Sequence, residues 1–251
     1  MIRLVRSEWT KLFTTRVWLG LLLGGCVMVG GFAALLTGFA GNAESGLPPV
    51  GTPEFEQVAL AQATNATVLF LILGIIGMTQ EYRHRTATPT FLTVPRRWKV
   101  VVAKLIAYSV AAVPFALVML AVNVLVVTVY AGARGAAPSL TGDNLEVLAT
   151  SGLALVIYAL IGVGIGALLR NQVGAIVGGL VYLFVVEPVI RSIPATSGAY
   201  KWMPGGGLEA MTATFQGPDL LGAWEGGLLL VGYGLLAALL GTLLAVRRDV
   251  V

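Results

Sequence analysis

The residues that could do chemistry are few and badly placed for it. The chain has one histidine, His84, set among arginines in RHR, where a solvated side chain is the simplest role. A serine-histidine pair inside a bilayer would need a histidine in an apolar segment, and none is there. Cys26 has no second cysteine, so no intrachain disulfide or cysteine metal site can form. A phosphate-cradling loop needs Gly-Lys followed by Ser or Thr. The lysines, Lys11, Lys99, Lys104 and Lys201, instead follow Thr10, Trp98, Ala103 and Tyr200. Paired carboxylates and clustered metal ligands are also missing, so no catalytic, cofactor-binding or metal residue is assigned and the chain is expected to do no chemistry itself.

The elements that hold these residues are set by hydropathy. With 57% hydrophobic and 11% charged residues, 32 glycines among 251 residues and a mean hydropathy of +0.88, the chain reads as an integral membrane protein. The fold class expected is all-helical, with runs long enough to cross about 30 Å of hydrocarbon at residues 17–40, 58–79, 105–130, 145–169, 173–193 and 226–246. The first run is too long for the apolar part of a signal peptide and is read as a retained span. An even number of spans puts both termini on one side. Every Lys and Arg except Arg134, Arg191 and Lys201 falls on that side, and nine of the twelve acidic residues fall on the other, which makes the termini cytoplasmic. The basic balance is therefore a topological signature, and nucleic-acid binding is excluded for want of a basic surface interleaved with aromatics.

Some polar residues stand out within or beside the spans. In span two, Thr64 and Asn65 form a hydrogen-bonding face with Gln62 and Thr67. Asn65 is costly in lipid, so it either bonds a neighbouring helix or, with Thr64 and with Tyr182 of span five, lines a pathway. Glu187 and Arg191 lie four apart near the outer surface and are expected to pair, as a structural ion pair or as a substrate contact. Span five must either continue through Glu187 and Pro188 or turn back. The segment after it mixes apolar pieces with Pro194, Pro204, Gly205–Gly207 and Pro218, as short helices at or dipping into the outer leaflet would. Small-residue pairs at Gly20/Gly24, Gly162/Gly166 and Gly174/Gly178 permit close helix packing, the last being the candidate dimer seam.

Residues 1–16 form a separate element. At 100° per residue Ile2, Val5, Trp9, Leu12 and Phe13 share one arc, opposite Arg3, Ser7, Thr10, Lys11 and Thr14. This predicts an amphipathic helix in the cytoplasmic interface with Trp9 at headgroup level, a stripe that a mere basic leader would not need. In the loop RHRTATPTFLTVPRRWK, Thr88 can cap a helix starting at Pro89, and Pro95 ends it after Val94. Phe91 and Leu92 would project from this short knob, flanked by Arg85, Arg96 and Arg97. Such a knob is either a docking peg for a partner or rests on anionic lipid.

The order of these parts resembles the permease subunit of ABC-2 (type V) transporters: RLVRSEWTKLFTTRVW before span one, then EYRHRTATPTFLTVPRRWKVVVAKL between spans two and three. The resemblance covers the whole chain, 1–16 as an interface helix and 17–251 as the six-span unit. It implies that Arg3, Arg6, Trp9 and Lys11 belong to that interface helix. It also implies that Arg85, Thr88, Phe91, Leu92, Val94, Arg96 and Arg97 form a coupling helix docked on a cytoplasmic ATPase subunit. That partner would bind ATP and Mg, none being bound by this chain. A second permease, identical or related, would complete an exporter in the bacterial inner membrane, surrounded by lipid. The contrasting expectation is a gradient-driven carrier working without an ATPase, which would need titratable groups near the midplane.

Overall fold

The computed structural model describes residues 1–86, 94, 96–212 and 220–247. Its regular elements are helices: α1 (Ile2–Thr14), α2 (Val17–Phe39), α3 (Pro53–Leu60), a 3-10 segment (Ala61–Ala66), α4 (Thr67–Arg83), α5 (Arg97–Ala133), α6 (Asp143–Leu169), α7 (Gln172–Val181), a π segment (Tyr182–Val186), α8 (Glu187–Ser192), a second 3-10 segment (Ser197–Trp202), α9 (Pro204–Thr212) and α10 (Ala223–Arg247). Six stretches are long and apolar enough to cross a membrane: Val17–Phe39, Pro53–Arg83, Trp98–Ala133, Asp143–Leu169, Gln172–Ser192 and Ala223–Leu244. The all-helical, six-span expectation holds. The main difference is at the ends, where α4 reaches Arg83 and α5 begins at Arg97 instead of Leu105.

Spans two and four form the centre, and two glycines let them touch. A Cβ on Gly162 would lie 2.1 Å from the Leu71 carbonyl oxygen, and one on Gly74 would lie 2.0 Å from that of Ala159. Only hydrogen fits between these backbones, and dispersion over the resulting close contact holds the pair together. Spans one, five and six expose rows of large apolar side chains, such as Leu23, Val27, Val177 and Leu239. They are apolar on all sides, as helices that meet lipid are.

Span two is not a uniform helix. Thr52 caps α3 by accepting the Phe55 N–H at 3.3 Å, and the chain then tightens to 3-10 geometry before α4. In that geometry residues three apart eclipse each other, so the Asn65 amide donates to the Gln62 side-chain oxygen at 2.9 Å and to its carbonyl at 3.0 Å. Thr64 donates to Ala61 O at 2.7 Å. The interhelical bond expected of Asn65 is supplied instead by fully buried Asn123 of α5, whose amide donates to Ala59 O at 3.2 Å and Leu60 O at 2.6 Å, where α3 gives way to the tighter turn. Replacing Asn123 by Leu should cost about 1–3 kcal/mol by stranding those acceptors. Asn65→Leu should cost well under half of that, and melting curves of the purified protein in nanodiscs compare the two.

Span five continues through Glu187 and Pro188. Proline cannot donate to the carbonyl four residues back, and the helix accommodates it by widening: the Glu187 N–H bonds Tyr182 O, five residues away, across the π segment. At the end of the bundle opposite α1, the Arg134 guanidinium donates to Thr37 O and, at 3.0 Å, to Ala40 O, closing off the C-terminal carbonyls of α2.

The chain from Ser197 to Thr212 folds back against the bundle. Tyr233 donates to Trp202 O at 2.6 Å, and Tyr158 donates to Pro204 O at 3.3 Å. At 1.5 Å per residue these tyrosines stand roughly 15 and 22 Å along their helices from the helix starts at Ala223 and Asp143. The glycine triplet permits the descent, since a Cβ on Gly205 would lie 2.3 Å from a Glu187 carboxylate oxygen.

Candidate functional site

The inward face of α1 differs from the arc its periodicity predicts. Leu12 is buried, and Val5 and Phe13 pack against the core. Ile2 is exposed, and Trp9 sits at the rim with its ring 5.1 Å from that of Phe13. Phe13 meets Trp18 edge-on at 5.3 Å, and Trp18 stacks on Phe115 of α5 at 6.0 Å. These aromatic contacts fasten α1 to the first and third spans. Arg3 and Arg6 stay in solvent. Lys11, expected on the outward polar side, instead turns toward the protein together with Glu8.

They meet Glu81, in the last turns of α4, and Lys104, in the second and third turns of α5. Lys11 Nζ donates to Glu8 Oε1 and to Glu81 Oε1, both at 2.6 Å. Lys104 Nζ donates to Glu8 Oε2 at 2.6 Å and to Gly77 O at 2.9 Å, with Glu81 Oε1 at 3.5 Å. Lys104 is 0% exposed and each carboxylate side chain only 5%. Ammonium groups stripped of water at this depth would be prohibitive alone. Here two cations and two anions cancel, and Lys104 donates two hydrogen bonds while a second carboxylate stands 3.5 Å away. Burial by itself would lower the Lys11 pKa, but hydrogen bonds to Glu8 and Glu81 outweigh it and raise it above its usual value. Its stabilising charge is thus fully present below pH 10.5 and is lost only as pH climbs through the raised value. A further tie lies beside the cluster, where the Gln80 amide donates to the buried Tyr108 hydroxyl at 3.3 Å.

The cluster sits at the root of the basic loop, joining α1 to the helix that enters it and the helix that leaves it. The exit from α4 is fixed by its backbone. Arg85 N–H bonds Tyr82 O at 3.3 Å and Thr86 N–H bonds Glu81 O at 2.9 Å, with Arg85 left-handed at φ 56. That is a Schellman ending with arginine where glycine is usual. On the far side of the loop Val94 is half-buried, Arg96 is exposed and precedes α5, and Arg97 is its first residue. Thr88, Phe91 and Leu92 lie outside the described residues.

The other sequence candidates separate. Thr64 and Asn65 bond within their own turn, as above, while Tyr182 lines a cavity between spans two, four, five and six. Gly178 borders that same cavity, and both Gly174 and Gly178 are exposed. The expected Glu187–Arg191 pair gives way to two other contacts: Arg191 bonds Glu209 at 2.6 Å, and the Glu187 carboxylate accepts the Gly205 N–H at 3.0 Å. The re-entrant backbone reaches Glu187 and α9 supplies Glu209, neither of which is visible in the local spacing of α8. Among the described residues no group of three or more His, Cys, Asp or Glu side chains could hold a metal.

This arrangement makes a junction between an N-terminal helix, two spans and the roots of the loop between them. Comparison with protein families matches residues 4–186 to an ABC-2 family transporter protein. The chain belongs to the ABC-2 transporter family. No curated protein matches it at a significant level. The match to this family of ABC-transporter permeases takes in all four members of the charged cluster, and it ends at Val186, just ahead of Glu187 and the re-entrant segment. Glu8, Glu81 and Lys104 were not singled out by sequence reasoning as site residues of the permease. The signal available was two acidic residues standing in otherwise basic flanks.

Proposed function

We propose that the chain is the membrane-spanning half of an ATP-driven exporter in a bacterial inner membrane, with both termini cytoplasmic. Two copies, or this chain and a related one, form the translocation path. A separate cytoplasmic subunit binds ATP and Mg and grips the loop between α4 and α5, with Phe91 and Leu92 as the apolar contact and Arg85, Arg96 and Arg97 around it. Helix α1, with Arg3, Arg6, Trp9 and Lys11, lies along the inner membrane surface as the interface helix. The observation that carries this reading is the neutral four-residue cluster. A loop whose two roots and neighbouring helix are locked together can pass a push from a soluble motor into spans two and three without being absorbed by local bending. Gradient coupling draws no comparable support, because Lys104 and its partners neutralise one another at the helix ends.

The test is co-purification of the full-length chain with an ATPase expressed from the same cell. ATP hydrolysis dependent on this chain is expected. Phe91→Asp combined with Leu92→Asp should weaken association at least tenfold while leaving membrane insertion intact. Unchanged association in that variant, or gradient-driven flux from the chain alone in vesicles, would overturn the proposal.

A further inference from the structure

Two cavities reach the end of span four, where one is lined by Leu169 and the other by its neighbour Arg170, and they differ in character. The first, of about 360 Å³, is lined by Tyr82, Arg83, Arg170, Asn171, Gln172 and Val173. It lies where α4 ends and α6 turns into α7, at the α1 end of the bundle. Among the described residues neither Arg83 nor Arg170 forms an ion pair with a carboxylate. Arg170 Nε is buried without a hydrogen-bond partner. A buried guanidinium N–H left unbonded is costly, and the same guanidinium fork suits phosphate oxygens. The start of α7, capped by Asn171 Oδ1 accepting the Gly174 N–H at 3.0 Å, forms another wall.

The second cavity, of about 480 Å³, begins at the neighbouring residue, Leu169, and runs up between spans two, four, five and six. Its walls include Leu71, Ile161, Ile165, Gly178, Leu183 and Ala237. Its far part is lined by Tyr158, Tyr182, Tyr233 and Pro204, the rings and backbone that seat the re-entrant segment. From Leu169 to Tyr158 the helix rises roughly 16 Å, about half of the ~30 Å hydrocarbon layer. The slot is therefore one leaflet deep, and its volume is in the range of small-molecule sites.

We propose that this chain binds one anionic phospholipid, with its phosphate between Arg83 and Arg170 and one acyl chain in the slot that runs from Leu169 to Tyr158. Charge complementarity selects the headgroup, since two cations with no carboxylate counter-ion among the described residues face it. The apolar walls select the tail, because a soluble anion would leave the slot without contacts and forfeit the dispersion they offer. In the orientation proposed above this is the anionic leaflet. The site does not depend on the ATPase reading and stands or falls separately from it.

The experiment is native mass spectrometry of the full-length chain purified with equimolar phosphatidylglycerol and phosphatidylcholine, paired with a thermal-shift series against each lipid. One phosphatidylglycerol per chain is expected, retained at least tenfold over phosphatidylcholine. Arg83→Gln with Arg170→Asn should lower that retention at least tenfold; asparagine tolerates the left-handed backbone of Arg170. Gly178→Leu should do the same with both arginines present, because a Cβ there meets no heavy atom within 4 Å and the longer side chain fills the slot. Circular dichroism and melting close to wild type establish that each variant is folded, and Ile165→Trp serves as a second slot-filling variant. Equal retention of the two lipids, full retention in the folded slot-filling variants, or thermal protection by inorganic phosphate equal to that by phosphatidylglycerol would each overturn the proposal.

Discussion

Lys104→Met should lower the melting temperature more than any other single change at the charged cluster, on the order of 10 °C at a few degrees per kcal/mol. The side chain it replaces is wholly buried and bonded to Glu8 at 2.6 Å, with Glu81 at 3.5 Å. Methionine matches its length but supplies no charge, so two nearly dry carboxylates are left with Lys11 alone. Breaking a buried pair from one side typically costs about 3–5 kcal/mol. Lys11→Met should cost less, because the Lys11 side chain is 37% exposed and water can reach the vacated place. The decisive comparison is Glu8→Leu with Lys104→Met. That double variant keeps the Lys11–Glu81 bond at 2.6 Å and remains neutral, so it should recover most of the loss, with a coupling term of at least about 1 kcal/mol in a double-mutant cycle. If the single variant melts like wild type, the cluster is not what holds α1 to the loop roots.

Gly162→Val should be nearly as damaging, for a steric and not an electrostatic reason. The added Cβ would fall 2.1 Å from the Leu71 carbonyl oxygen and 3.0 Å from the Ile75 backbone nitrogen. These are main-chain atoms of a central span and have no rotamer to escape into, so the two helices must separate. Overpacking of this kind costs about 1–3 kcal/mol and sometimes more. Gly20→Val is the matched control, since the same addition there meets nothing within 4 Å and should stay within about 0.5 kcal/mol. Equal yields and equal melting for the two variants in the same nanodisc preparation would remove the close α4–α6 contact as a determinant of the fold.

The spans were legible because the requirement that creates them is local: an uninterrupted apolar run must hydrogen-bond its own backbone in lipid. The N-terminal helix was legible for a similar reason, as its stripe repeats at 100° per residue. Its exact inward face was not, because Glu8 turns inward only when Lys104, far along the chain, comes to meet it. Lys104 looked like the last cation of a basic loop, yet α5 begins well before it and carries it inside. A clue was present in the charge map: Glu8 and Glu81 are acidic residues on the side where cations collect. Asn123 illustrates the same limit. The polar face at Asn65 drew attention by its clustering, whereas the lone amide in the apolar run of α5 makes the interhelical bonds. Pairings such as Arg191 with Glu209 depend on a re-entrant segment whose depth no local pattern specifies.

Helix α4 joins two places that can sense different things. Near its start Leu71 borders the greasy slot; further on Glu81 grips the ions, about 15 Å away along a rod with no proline between them. Between the two, α4 lies against span four along its length, with Leu71 on Gly162, Gly74 on Ala159 and Met78 on Gly166. A displacement imposed at one end is passed along that shared seam to the other. Whatever fills the slot is then felt at the root of the loop, and by the reciprocity of linked equilibria whatever grips the loop is felt in the slot.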